Sequence, residues 1–129
     1  METLTTMKNE ILQGEIWLVD FEPKVGSEIA KLRPAVVINS NLGKNYDIKI
    51  LLPITSYQDK FRDIPFFYKL NNYKKFGLDN PSAVNCFQVK SFSSKRFKQK
   101  LGAIDDKTLF EIHQILAQVL NPFYVIKIE

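Results

Sequence analysis

Residues 14–39 read GEIWLVDF, then EPKVGSEIAKLR, then PAVVIN: two apolar runs of strand character joined by a polar loop. The first run mixes Ile16, Trp17, Val19 and Phe21, residue types that suit a pleated, buried surface. Pro23 and Gly26 punctuate the loop, which closes at Arg33. Pro34 has no N–H, so it fits best as the first residue of the next strand. Working outward, SNLGKNYD (40–47) is a turn and IKILLPITS (48–56) a third, heavily apolar strand. Pro53 within it points to an edge or a bend. SYQDKFRD (56–63) is a polar connection, IPFFYKL (64–70) a fourth strand and NNYKKFGLDNP (71–81) a loop rich in turn residues. SAVNCFQVKSF (82–92) reads as a fifth strand that runs into a basic stretch.

The period then changes. In DDKTLFEIHQILAQVL (105–120), Leu109, Ile112, Leu116 and Val119 recur at steps of three and four, and Ile115 and Leu120 widen the stripe. That spacing predicts an amphipathic helix. Asp105 or Asp106 is placed to cap its N-terminus, and Asn121-Pro122 stops it. FYVIKI (123–128) reads as a short strand or an extended tail. Short strands followed by one helix predict an α+β fold, mostly β: a compact barrel or strongly curved sheet with the helix laid across it. Residues 1–13 are expected to be an N-terminal extension, helical or frayed, before a single domain over 14–129.

A chain of 129 residues fits one domain with a core of its own. The single cysteine, Cys86, excludes an internal disulfide and a cysteine metal cluster, and reads as a buried core residue. No apolar run reaches the length of a membrane span, and residues 1–13 lack the apolar middle of a signal peptide, so the cytoplasm is the expected compartment. KSFSSKRFKQK (90–100) carries five basic residues and no acid. Such a stretch is either a phosphate-attracting patch or a solvated basic loop. Phe92 and Phe97 are interleaved with it and are candidates for stacking on bases or for a partner groove.

The ordered set GEIWLVDFEPKVGSE, RPAVVI, PITS and GLDNPSAV leading into FQVKS closely resembles the MazF/PemK (Kid) toxin family, from Gly14 to about Leu120. The resemblance implies an SH3-like barrel of the CcdB/Kid/MazF type with a C-terminal helix packed on the sheet. It also implies a homodimer, an endoribonuclease that cuts single-stranded RNA at short sequences without a metal or other cofactor, and a cognate antitoxin that lays a flexible segment over the dimer.

Metal-free RNA cleavage uses the 2′-hydroxyl as nucleophile and leaves a 2′,3′-cyclic phosphate and a 5′-hydroxyl. The protein supplies a base, an acid and positive charge for the phosphorane. With one histidine, His113, a histidine acid–base pair is excluded, and His113 itself reads as an ordinary helical residue. Arg33 presents a rigid fork of donors suited to two phosphoryl oxygens, on backbone that Pro34 holds extended. It matches the family's essential arginine; the plain alternative is a surface arginine at a strand entrance. Thr55 matches the family's catalytic threonine or serine, against the alternative of a strand-end threonine bonded to its own backbone. Glu28 matches an acidic residue implicated in some members, as general base or as orienter of Arg33. Ser27 and Lys31 share its loop and are expected to contact RNA backbone, with Ser56 a weaker companion of Thr55. Gln88 and Lys90 match the family's Q-x-[RK] stretch and are expected to read a base edge or a phosphate.

Three positions depart from the pattern. Phe87 stands where many relatives have an acid, Asn85 where some have an arginine, and Ile29 where a glutamine is usual. A mechanism that needs that acid and that arginine cannot operate here. Two alternatives therefore stand beside the nuclease. One is a non-catalytic interaction toxin of the same fold, like the gyrase binder CcdB, which has no need of the R-P and PITS pair. The other is a degenerate member that binds RNA without turnover.

Overall fold

The computed structural model describes residues 10–23, 25–28 and 31–123. Along the chain come β1 (Glu15–Asp20), β2 (Leu32–Val37), β3 (Ile48–Ser56), β4 (Phe67–Leu70), β5 (Ser82–Asn85), β6 (Lys90–Ser93), β7 (Phe97–Ala103) and α1 (Asp106–Leu120). The strands form one antiparallel seven-stranded sheet in the order β4-β5-β3-β2-β1-β7, with β6 also paired to β3. The expected class, a small mostly-β fold with one helix on the sheet, is what forms. The ladder is not closed into a full barrel: β4 and β7 are the two ends of the strand order.

The apolar runs in β1, β2 and β3 are nearly continuous because both faces of the central sheet are covered. Alternate residues point to opposite faces. Ile16, Val36, Leu52 and Ile54 enter one cluster together with Leu70, Val84 and Ile112. Trp17, Val19, Ala35, Val37 and Leu51 enter the other, with Ile11, Phe21 and Phe97. α1 covers the first face through Ile112, with Leu109, Ile115 and Leu116 packed around it. The Asp105 carboxylate caps the helix by accepting the Thr108 N–H at 2.8 Å. Beyond the first turn, the Tyr68 hydroxyl donates to Glu111 and pins the helix to β4. Burial and that carboxylate together push the Tyr68 phenol up to about 12.

Four expectations are corrected. Residues 82–92 are two strands: the Asn85 side chain accepts the Phe87 N–H at 3.0 Å and bends the chain between β5 and β6. Both then pair with the same strand, β5 with Ile54–Ser56 and β6 with Ile48–Leu51. Pro53 lies in a central strand, at the junction where pairing to β6 has ended and pairing to β5 has not begun, so its missing N–H interrupts neither ladder. β2 begins at Leu32, ahead of Pro34, and its ladder to β3 starts at Ala35. The basic stretch is not one loop: residues 90–93 form β6 and residues 97–100 open the edge strand β7, where Lys98 and Lys100 guard the edge against pairing with other chains. Of the expected C-terminal tail, all but Phe123 lies outside the described residues, as do residues 1–9 of the expected extension. Ile11 is buried, and Gln13 binds Asn41 and Ile38.

Two features lock β7 against the body. Phe76-Gly77 crosses Leu101-Gly102 with no room for a side chain: a Cβ on Gly102 would lie 2.0 Å from the Phe76 carbonyl oxygen, and one on Gly77 2.1 Å from that of Leu101. The second is the buried carboxylate of Glu15. It accepts from the Leu12 N–H at 2.9 Å and the Trp17 indole N–H at 3.0 Å, and meets Lys100 Nζ at 2.8 Å. Burial pushes the Glu15 pKa up, but the bonds from Lys100, Leu12 and Trp17 outweigh it and hold the group below its ordinary value.

Gly102→Ala is expected to destabilise the fold by about 2 kcal/mol or more, read by urea unfolding, because backbone must move to admit the methyl. Unchanged stability would show that the crossing is loose. Glu15→Gln is expected to cost about 1 kcal/mol near neutral pH. A depressed folded pKa contributes stability above the unfolded value and loses it as pH falls through the folded one. The gap between the two proteins should therefore be full above about pH 5 and close in acid. A gap that persists unchanged in acid would refute the charge-based account.

Candidate functional site

The register of the central strands brings the R-P and PITS motifs together. Ala35 opposes Pro53 across β2 and β3. Two residues further in the same register come Arg33 and Thr55, and opposed positions of an antiparallel pair share a face. Arg33, Thr55 and Ser56 all line one cleft of about 340 Å³. Its apolar lining comes from Leu18, Pro34, Ile54, Leu78 and Leu101, and its remaining polar lining from Asp79, Asn80 and Ser82. That combination of apolar walls and a few convergent polar groups, at this size, is typical of a ligand site. Arg33 is exposed and Thr55 half-buried, so the charge reaches solvent while the hydroxyl sits deeper.

Asp79 and Asn80 were not singled out from the sequence. They sit on the tip of the 71–81 loop, which is held firmly at both ends. Leu78 is buried and its N–H bonds to the Tyr73 carbonyl at 2.9 Å. On the far side, the Tyr57 N–H bonds to the Pro81 carbonyl at 2.9 Å, and the Ser82 hydroxyl donates to the Asn80 carbonyl at 2.7 Å. The available signal was local: an acid and an amide between Gly77 and Pro81, in a turn that had to lie beside a strand end.

The other expected site residues lie elsewhere. Glu28 does not line the cleft. One of its oxygens meets Lys90 Nζ at 3.0 Å, and the other accepts the Val25 N–H at 3.2 Å. The hydrogen bond from Lys90 holds its carboxyl below the ordinary value, so it is a poorer base than an unpaired glutamate. Two residues expected to act on RNA separately are thus each other's partners. Ser27 is exposed on the same loop. Lys31 is exposed, and its backbone, at a φ of 68°, donates to Glu22 and accepts from Phe21. Gln88 is half-buried between β5 and β6, away from the cleft lining. His113 is half-buried on α1, also away from it.

The basic stretch is largely consumed internally. Besides Lys90 and Lys100, Arg96 donates to the carbonyls of Asp20 and Glu22 and lies over the Phe92 ring at 4.6 Å. Phe92 packs edge-on to Phe21, and Phe97 is buried edge-on to Trp17. Neither ring is a free stacking platform. Phe87 tilts against Phe66 at 5.0 Å. Cys86 is fully buried, and burial pushes its thiol up to about 12, which keeps it an inert core residue. Among the described residues no group of three or more His, Cys, Asp or Glu is arranged to hold a metal ion, and no helix is long and apolar enough to cross a membrane.

The chain and its fold have known counterparts. Residues 12–120 match the family described as PemK-like, MazF-like toxin of type II toxin–antitoxin system. The chain belongs to this toxin family. Solved structures share the fold of this MazF-like toxin at low identity. MazF from Deinococcus radiodurans is 21% identical and superposes with a TM-score of 0.72 over 86% of this chain and 96% of that one. A mycobacterial endoribonuclease, solved in complex with its cognate antitoxin, is 16% identical with a TM-score of 0.71 over 89% and 99%. Mycobacterium tuberculosis toxin MazF-mt6 is 14% identical with a TM-score of 0.68 over 83% and 96%.

Lys90→Ala is expected to raise the Glu28 pKa toward the ordinary carboxylate value, read by NMR titration of the Glu28 side-chain carbonyl. An unmoved titration would show that the Lys90 pair does not hold Glu28 in solution.

Proposed function

We propose that this toxin is a metal-independent, sequence-specific endoribonuclease that cuts single-stranded RNA by attack of the 2′-hydroxyl on the adjacent phosphorus. The observation that carries the reading is the cleft shared by Arg33, Thr55 and Ser56. Membership of the MazF-like toxin family supports it, as does likeness to proteins named endoribonucleases. The Arg33 guanidinium is the group for the nonbridging phosphoryl oxygens, where charge builds up in the phosphorane. The Thr55 hydroxyl donates to a phosphoryl oxygen from the neighbouring strand, and Ser56 contacts the flanking backbone. The apolar floor of Leu18, Ile54 and Leu101 lowers the local dielectric and strengthens both interactions.

Around this centre the partners follow from the family. A second copy of the chain forms a homodimer, and a cognate antitoxin covers the toxin and silences it. Ser27, Lys31, Gln88 and Lys90 lie outside the cleft lining, so any RNA contact they make is with nucleotides flanking the scissile bond.

The test is incubation of the purified protein with a long RNA in EDTA. Cuts at a shared short sequence, with 2′,3′-cyclic phosphate and 5′-hydroxyl ends, are expected. Arg33→Ala is expected to lose about 100-fold or more in rate with its fold intact by circular dichroism. No cleavage by the parent protein, with gyrase captured instead, would replace this reading with that of an interaction toxin. Full activity in Arg33→Ala would remove the role given to that residue.

A further inference from the structure

Transfer of the 2′-hydroxyl proton needs an acceptor, and the residues that could supply one in relatives are absent or occupied here. Phe87 holds the position of an acid and is packed against Phe66. Glu28 is paired with Lys90 and stands outside the cleft. Among the described residues that line the cleft there is no histidine and no lysine, and Asp79 is the one acidic side chain.

We propose that Asp79 is the general base of the cleavage reaction, presented to the 2′-hydroxyl by the 71–81 loop. This rests on the nuclease reading above. The loop meets the geometric demand on such a group, which must hold one position relative to the phosphate. Phe76 and Leu78 anchor it in the core on one side. Gly77 lies in backbone contact with β7, and Pro81 and Ser82 are tied to Tyr57 and Asn80 on the other. Asp79 is exposed between these anchors, so it is reachable by substrate on a frame that does not need to move.

The step balances without a co-reactant beyond water. An Asp79 carboxylate oxygen takes the proton of the 2′-hydroxyl as the O2′–P bond forms. The P–O5′ bond breaks, and the departing O5′ takes a proton from water. Asp79 then returns its proton to solvent. Arg33 carries the added negative charge on phosphorus, so the base and the charge-stabilising group come from different elements: Asp79 from the loop before β5, Arg33 from β2. The acid that the family resemblance implies at position 87, in the bend after β5, is replaced by one on the loop that enters β5.

The test compares the parent protein with Asp79→Asn and Asp79→Glu on a short RNA containing a mapped cut site. A 2′-O-methyl version of the same strand, which cannot be cut, reads binding. Asp79→Asn is expected to cleave about 100-fold or more slowly in single turnover. It should bind the 2′-O-methyl strand as tightly as the parent or more tightly, because a negative charge beside phosphate is gone. Asp79→Glu is expected to recover part of the rate. Cleavage by Asp79→Asn at the parental rate would overturn the assignment, as would a change confined to cut-site preference or a loss of binding that accounts for the loss of rate. Those results leave the nuclease reading standing, whereas failure of the parent protein to cleave overturns both.

Discussion

Everything in this molecule depends on the register of β1, β2 and β3. A sheet with one solvated face tolerates some ambiguity in pairing. This one buries both faces, each against its own cluster, and a slip of one residue would exchange them. Ile16, Val36 and Leu52 would then leave the face that α1 covers, and Trp17, Ala35 and Leu51 would take their places at the wrong volumes. The same register, continued past the Ala35–Pro53 pair, carries Arg33 and Thr55 to one cleft. The site therefore inherits its geometry from core packing, and no dedicated contact between the two side chains is needed to align them.

The second constraint is the close crossing of Phe76-Gly77 over Leu101-Gly102. It joins a loop that belongs to the cleft to the edge strand β7. Because neither glycine has space for a methyl group, the loop sits on β7 at backbone distance, and Leu101 and Gly77 line the cleft side by side. β7 is fastened in turn by Lys100 to the buried carboxylate of Glu15. The cations of residues 90–100 thus do structural work first. Lys90 orders the loop of Glu28, Lys100 balances Glu15, and Arg96 holds the carbonyls at the end of β1. Attraction of a polyanion then falls to the overall balance of +4 more than to a dedicated basic patch.

Family pattern and physical site are related but not identical. Phe87 and Asn85 do not supply the acid and the arginine that the family resemblance implies for some relatives. Asn85 is buried and turns the chain, and Phe87 joins an aromatic group with Phe66, so both serve the break between β5 and β6.

The sequence by itself determined the class of fold, α1 and its Asp105 cap, the buried Cys86 and the two motifs that meet at the cleft. These are local signals, written in periodicity, capping chemistry and apolar runs. Tertiary structure decided the rest. Pro53 pointed to an edge or a bend, and composition could not reveal that it sits at the junction between two partner strands. β7 looked like a basic loop because an edge strand is polar on the side it exposes. The pairing of Glu28 with Lys90 was not legible because the two lie 62 positions apart in the chain and meet only once it is folded. Asp79 went unnoticed for the same reason: a turn acid is common in sequence, and only the packing of its loop against β7 places it on the wall of a cleft.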